Sequence, residues 1–408
     1  MPGLPRVLFF AESVTLAHLA RPLVLAQALR GTFELALACA PAYREFAADS
    51  GVELLPLDSI PPAEFRRAVE RGARFYDLPV LRRYTASDLV AIERFRPDVV
   101  VGDFRPSLAV SARRAGVPLV ALLNAHWSPG YRHADYPMPV LPITRLVGPR
   151  LFSPLFALAR PLAIAHFAQP FDQLRREHGL PALGGDLRRH YADADAVAYP
   201  DIPELYPVDP LPARYAYLGP VLWDPPTPLP DWWSDLGDAP ILGYASLGSS
   251  GEHGLLPRIL QVLAELDGVS LVATAGADPG SAPAPNLRLA RYLPGSATTA
   301  RARFVLCNGG SMTVQQALSA GVPVIGLCGN MDQMLNMAPV AAAGAGILLR
   351  ADAAPVAAIR AAVQRVLDDP AYRESAQALA PRFAGHDAPR RLADLLAALL
   401  PGATPPQP

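Results

Sequence analysis

Asn308, Gly309 and Gly310 stand between an apolar run, RFVLC (303–307), and a helical pattern that starts at Ser311. Glycines after a strand let a phosphate approach the backbone closely. The helix that follows offers unpaired N–H groups and the positive end of its dipole. Together they form a diphosphate cradle without a lysine. A second loop of small residues, SLGSSG (246–251), follows the apolar run ILGYA, and Ser246, Gly248, Ser249 and Ser250 could offer further hydroxyls and N–H groups. In the first half, His18 lies at a loop-to-helix junction after RVLFF (6–10), and Asp103 ends DVVVGD (98–103). Histidine takes up a proton near neutral pH. A carboxylate on its other ring nitrogen would fix the tautomer. Glu12, Asn124, His126 and Trp127 also fall at strand ends, where an indole gives apolar area and polar groups give orientation to a bound molecule.

The elements that must position these residues alternate. RVLFF, FELALAC (33–39), VELLPLD (52–58), DVVVGD and VPLVALL (117–123) are separated by helical patterns, including one expected near 41–50. Strand and helix at this rhythm mean βαβ units and a parallel sheet. A second series runs from ILGYASLGS (241–249) to VPVIGLC (322–328). Between them lies a polar, proline-rich stretch without period. The expected division is a first domain at 1–222, a linker at 223–240, a second domain at 241–385, and a C-terminal helix and tail at 386–408. Residues 124–200 read as aromatic, proline-broken and partly helical. Their apolar stretch 145–171 is expected to pack on a core, with an acceptor-binding insertion or a peripheral membrane contact as alternatives.

The 408 residues suffice for two cores, with 51% hydrophobic and 18% charged residues. A net charge of −1 and the lack of a long basic run leave nucleic acid without an electrostatic footprint. Cys39, Cys307 and Cys328 match neither a zinc nor a disulfide pattern, which suits a reduced, cytoplasmic setting. His133, His166, His178, His190, His253 and His386 lack metal-ligand spacing, and Asp193 and Asp195 read as a solvated turn.

The segment RFVLCNGGSMTVQQALSAGVPVIGLCGNMDQMLNM (303–337) resembles the signature of the family-one glycosyltransferases of the GT-B fold. These are the bacterial macrolide and antibiotic glycosyltransferases and the plant UDP-sugar transferases. Gly309, Gly310, Thr313, Ala317, Leu318, Gly321, Val322, Pro323, Asp332, Gln333 and Asn336 fall in register. Three positions depart. The family's diphosphate-contacting histidine is Asn308, its ribose-holding glutamate is Gln316, and Pro294-Gly295 replaces proline–glutamine. HLARPLVLA (18–26) resembles the family's opening helix, with the proline moved one place to Pro22.

The resemblance implies two Rossmann-like α/β domains facing across a cleft, with the C-terminal helix returning to the first. It implies a UDP- or dTDP-sugar as co-substrate, with no other cofactor and no metal. Ser249, Asn308, Gly309, Gly310, Ser311 and Thr313 would surround the diphosphate. Tyr292 would stack on the base, Gln316 would meet the ribose, and Asp332 and Gln333 would hold the sugar hydroxyls. His18 would be the base and Asp103 its partner, in an inverting transfer to a hydroxyl of a small apolar acceptor, natural product or lipid. Glu12, Asn124, His126 and Trp127 would line the acceptor pocket. A sugar-nucleotide epimerase and a non-catalytic activator of the same fold are the alternatives.

Overall fold

The computed structural model describes residues 3–132, 136–237 and 240–400. His133, residues 238–239 of the expected linker and 401–408 of the expected tail lie outside the described residues. Seven strands form the first sheet: β1 (Arg6–Ala11), β2 (Glu34–Cys39), β3 (Glu53–Pro56), β4 (Val99–Asp103), β5 (Leu119–Leu122), β6 (Ala196–Tyr199) and β7 (Tyr215–Tyr217). Their order is β3-β2-β1-β4-β5-β6-β7. The second sheet holds β8 (Ile241–Ser246), β9 (Ser270–Ala273), β10 (Leu287–Ala290), β11 (Ala302–Cys307), β12 (Val324–Cys328) and β13 (Gly346–Arg350). Its order is β10-β9-β8-β11-β12-β13. All of these pairings are parallel. Both sheets are covered by helices, so the central strands carry unbroken apolar runs: VVVGD in β4 and VIGLC in β12 are buried throughout.

Each sheet reverses its winding once, between β1 and β4 in the first and between β8 and β11 in the second. Ala11 pairs with Asp103, and Ser246 with Cys307, at the carboxyl ends of those strands. Open α/β sheets bind ligands in the crevice at such a reversal. His18, Asp103, Ser249 and Asn308 therefore stand at or just beyond the carboxyl ends of β1, β4, β8 and β11.

The helix Ala388–Ala397 returns to the first domain. Ala388, Leu392 and Leu396 are buried in the same cluster as Leu23 and Leu218, each leucine contributing about 1.5–3 kcal/mol. Arg391 Nη1 donates to the Tyr217 carbonyl at 2.7 Å. Gly219, at φ +86°, makes room for this return, since a Cβ there would meet the His386 Cβ at 2.1 Å.

Three local expectations are corrected. The helix expected near 41–50 is a single 3-10 turn, Arg44–Ala47. The stretch expected to be broken by prolines is one long helix, Pro149–Glu177, running through Pro154, Pro161 and Pro170. Only its later half packs on a core, through Ile164, Ala168, Phe171 and Leu174. Asp193 is no solvated turn either: Arg113 and Arg175 both pair with it.

Candidate active site

His18 sits in the first turn of the helix Leu16–Ala28, directly after the β1 loop. Its Nδ1 lies 2.8 Å from Asp103 Oδ1. Asp103 is wholly buried and also receives two bonds from Arg21, Nε to Oδ2 and Nη2 to Oδ1, both 2.8 Å. Arg21 Nη2 stands 3.0 Å from His18 Nδ1 as well. A hydrogen on Nδ1 directed at the carboxylate satisfies both side chains, because a charged acceptor makes the stronger bond. That tautomer, assigned from the partners, leaves the Nε2 lone pair unprotonated. Phe104 stacks on the imidazole at 4.8 Å with planes 14° apart. Phe104 is itself held at φ +51°, an uncommon conformation for a bulky residue and a form of strain that concentrates at functional sites.

The opposite wall belongs to the second domain. The helix Ser311–Ser319 begins after Gly310 with no side-chain cap, so the N–H groups of its first turn are available to an anion. Gly310, Ser311 and Thr313 line a cavity of about 140 Å³ together with Leu16 and Ala20 of the first domain. The Leu16 N–H donates to Ser249 Oγ at 3.0 Å, so the helix that carries His18 touches the β8 loop directly. Asn308 closes on its own loop. Its Oδ1 accepts the Gly310 N–H at 3.0 Å, and its Nδ2 donates to Ser250 Oγ at 3.2 Å. Gly309 is at φ +82°, and a Cβ there would meet Cys328 Sγ at 2.7 Å. Gly309→Ala therefore incurs a left-handed penalty of roughly 1–2 kcal/mol and an overpacking cost of about 1–3 kcal/mol. Thermal denaturation should show Tm lower by about 5–15 °C, and an unchanged Tm would contradict this account of the loop.

Tyr292 lines the same cavity and packs edge-on against Phe46, with centroids 5.4 Å apart. Trp223, which the sequence reading left inside the linker, also lines it and packs edge-on against Phe46 at 5.6 Å. Gln316 is buried. Its Nε2 donates to the Trp223 carbonyl at 2.9 Å and to Asp224 Oδ1 at 3.1 Å, so part of its carboxamide is committed to the linker.

Asp332 reaches across the cleft. His126 Nε2 lies 2.9 Å from its Oδ1, and Trp127 Nε1 donates to the same oxygen at 2.8 Å. Desolvation pushes this carboxyl up, but the His126 bond and charge, the Trp127 bond and the charge of His18 pull it down to about 2. Half of the Asp332 side chain stays exposed. His126 and Trp127, expected to line an acceptor pocket, clasp the residue expected to hold the sugar.

Three other expected site residues face inward. Glu12 is fully buried and bound by Arg105 Nη1 at 2.7 Å, by the Tyr84 hydroxyl at 2.9 Å and by Ser59. Burial drives its pKa up against the pull of Arg105. Gln333 is nearly buried, its Oε1 accepting the Gly329 N–H at 2.8 Å and its Nε2 donating to the Ser250 carbonyl at 3.3 Å. Asn124 is a strut, accepting from Arg21 Nη1 at 2.9 Å and donating to Asp201 at 3.2 Å. The structure brings Ser249, Tyr292, Asn308 and the Ser311 helix end to one cavity with the helix that carries His18, while Glu12 and Gln333 are buried in bonds of their own.

Arg21 escaped the sequence reading. The signal was the displaced proline: moving it to Pro22 leaves an arginine three residues after His18, on the same helical face.

With the crevice described, comparison with known proteins gives it a family. Residues 257–399 match the profile of the erythromycin biosynthesis protein CIII-like C-terminal domain. The chain is 46% identical to a "PGL/p-HBAD biosynthesis glycosyltransferase" of Mycobacterium tuberculosis over 386 residues, 93% of this chain and 90% of the relative. It is 46% identical over 389 residues to a "PGL/p-HBAD biosynthesis rhamnosyltransferase" of Mycobacterium bovis, covering 94% of this chain and 86% of the relative. Among solved structures, the spinosyn rhamnosyltransferase SpnG complexed with thymidine diphosphate superposes with a TM-score of 0.68 at 21% identity, over 96% of this chain and 100% of that one, which establishes the shared fold. This chain is therefore a glycosyltransferase of the GT-B fold and belongs to the family of the PGL/p-HBAD biosynthesis glycosyltransferases.

Proposed function

We propose that this enzyme moves a sugar, with inversion, from a nucleoside-diphosphate sugar to a hydroxyl of a small apolar acceptor, with His18 as base and Asp103 as its partner. The observation that carries this reading is the 2.8 Å bond to Asp103 made by His18 on the helix whose Leu16, Ala17 and Ala20 line the cavity that the uncapped helix end at Ser311 walls from the second domain. In the reaction, His18 Nε2 takes the acceptor's hydroxyl proton. The acceptor oxygen forms a bond to the anomeric carbon as the bond from that carbon to the diphosphate oxygen breaks. The electron pair leaves with the diphosphate. The Ser311 and Met312 amides and the helix dipole face the charge that develops there. This field is supplied by the chain itself, so the reading calls for no metal or further cofactor. Asp103 holds the imidazole and stabilises the imidazolium. Asp332, beside both halves, is placed to meet a sugar hydroxyl once the sugar displaces His126 and Trp127.

For the donor, Tyr292 and Trp223 offer rings to a base. The thymidine diphosphate bound by the structural neighbour and the rhamnosyl activity named for a relative favour a dTDP-deoxyhexose over a UDP-sugar. The relatives' PGL/p-HBAD names favour a phenolic or lipid-linked acceptor. A thermal-shift panel of nucleoside diphosphates and their sugars tests the donor assignment. A ligand present at about 100 times its Kd stabilises by about 2.7 kcal/mol. That should raise Tm by about 5–10 °C, with thymidine diphosphate giving the largest shift. A flat panel would remove the proposal. Formation of a glycoside only when acceptor is added separates transfer from epimerisation of the donor.

A further inference from the structure

The helix Pro149–Glu177 stands off the body of the protein over its first half. None of its residues before Ile164 is buried. Leu151, Leu155, Leu158 and Leu162 are 75%, 61%, 81% and 77% exposed. Their spacing of four, three and four residues confines them to an arc of about 60°. Leu146 on the preceding helix Pro142–Val147 is likewise 82% exposed. The half-buried Phe152 and Phe156 fall on the other side of the helix. Isolated exposed leucines are ordinary, but a continuous row marks an interaction surface.

Within the segment itself the charges have one sign. From Tyr136 to Phe171 the chain carries Arg145, Arg150 and Arg160 and neither Asp nor Glu. Arg145 pairs with Glu252, whereas Arg150 is exposed. Half-buried Arg74 bonds His166 and Gln169 farther along the same helix. The patch is also continuous with the crevice. Pro142 and Arg145 at its root line a cavity of about 800 Å³, walled by Val14, Phe65 and Val140 and reaching Ser249.

We propose that this leucine row seats the enzyme on an anionic lipid surface, the helix lying in the headgroup plane with the cavity mouth beside it. A leucine face flanked by arginine is the pattern of interfacial helices. The helix does not cross the bilayer, because its later half is built into the core of the first domain. A second copy fits less well, since a two-fold contact would set the same arginines against each other. Access of an apolar acceptor from the lipid side rests on the glycosyl-transfer reading, while the docking itself does not.

The test is sedimentation of the full-length chain with vesicles of phosphatidylglycerol and phosphatidylcholine, and with phosphatidylcholine alone. Neither donor nor acceptor is present, so the result is separate from catalysis. The wild type should bind the mixed vesicles at least about tenfold more strongly than the variant Leu151→Gln/Leu155→Gln/Leu158→Gln/Leu162→Gln. Arg150→Glu should weaken binding to the mixed vesicles roughly tenfold and leave binding to the neutral ones unchanged. All substituted side chains are exposed, so the variants should melt with the wild type. The proposal fails if the wild type stays in the supernatant or if the leucine variant sediments equally well. It fails too if light scattering shows a dimer that the leucine variant loses.

Discussion

His18→Ala is expected to lower kcat/KM by about 10²–10⁴-fold, the range for loss of a positioned general base, while the Kd for thymidine diphosphate stays within about twofold. The separation of the two effects follows from where the residues stand. The His18 ring touches Asp103, Arg21 and Phe104, all on the first domain. The diphosphate is expected at the Ser311 helix end and the β8 loop, which meet that helix through the Leu16 amide rather than through the imidazole. Steady-state kinetics with isothermal titration of the nucleotide reads both quantities. A parallel loss of nucleotide affinity would mean that His18 holds the domains together. Retained activity would remove it from the mechanism.

The second large effect concerns a residue that touches no substrate. Arg21→Leu strips Asp103 of its bidentate partner and leaves a wholly buried carboxylate beside one imidazole. Breaking a buried pair in this way costs about 3–5 kcal/mol, which for domains of this size lowers Tm by about 6–20 °C. Arg21→Lys should recover only part of it, because an ammonium cannot span both carboxylate oxygens. The double variant Arg21→Leu/Asp103→Leu should be more stable than Arg21→Leu alone, since the orphaned charge is gone. Calorimetry of the three variants checks this. A single variant as stable as wild type would show that Asp103 has water or another group in reserve.

What the sequence made legible was whatever chain order and local chemistry determine. The alternation of apolar runs and helical patterns foretold two parallel sheets. The rule that ligands sit at strand carboxyl ends, together with the family resemblance, then singled out His18, Asp103, Ser249 and the 308–311 turn. These positions needed no knowledge of which side chains meet. Orientation was another matter. Glu12 and Gln333 are polar residues at strand ends or helix starts, just as Ser249 is. Only the packed structure shows that Arg105 and the Gly329–Ser250 backbone claim them. The clasp of Asp332 by His126 and Trp127 joins residues 206 and 205 positions apart, beyond any local pattern. The helix through Pro154, Pro161 and Pro170 shows the same limit, since local propensity predicted breaks that its later half, anchored in the core, overrides. The tie of Gln316 to Asp224 was invisible, because the linker returns to it across 92 residues.

The central claim is tested most directly by a crystal structure with thymidine diphosphate bound. Terminal phosphate oxygens should lie about 2.7–3.2 Å from the Ser311 and Met312 amide nitrogens, with the sugar-facing phosphate turned toward His18 and Asp332. A diphosphate bound elsewhere, with that helix end left empty, would contradict the account.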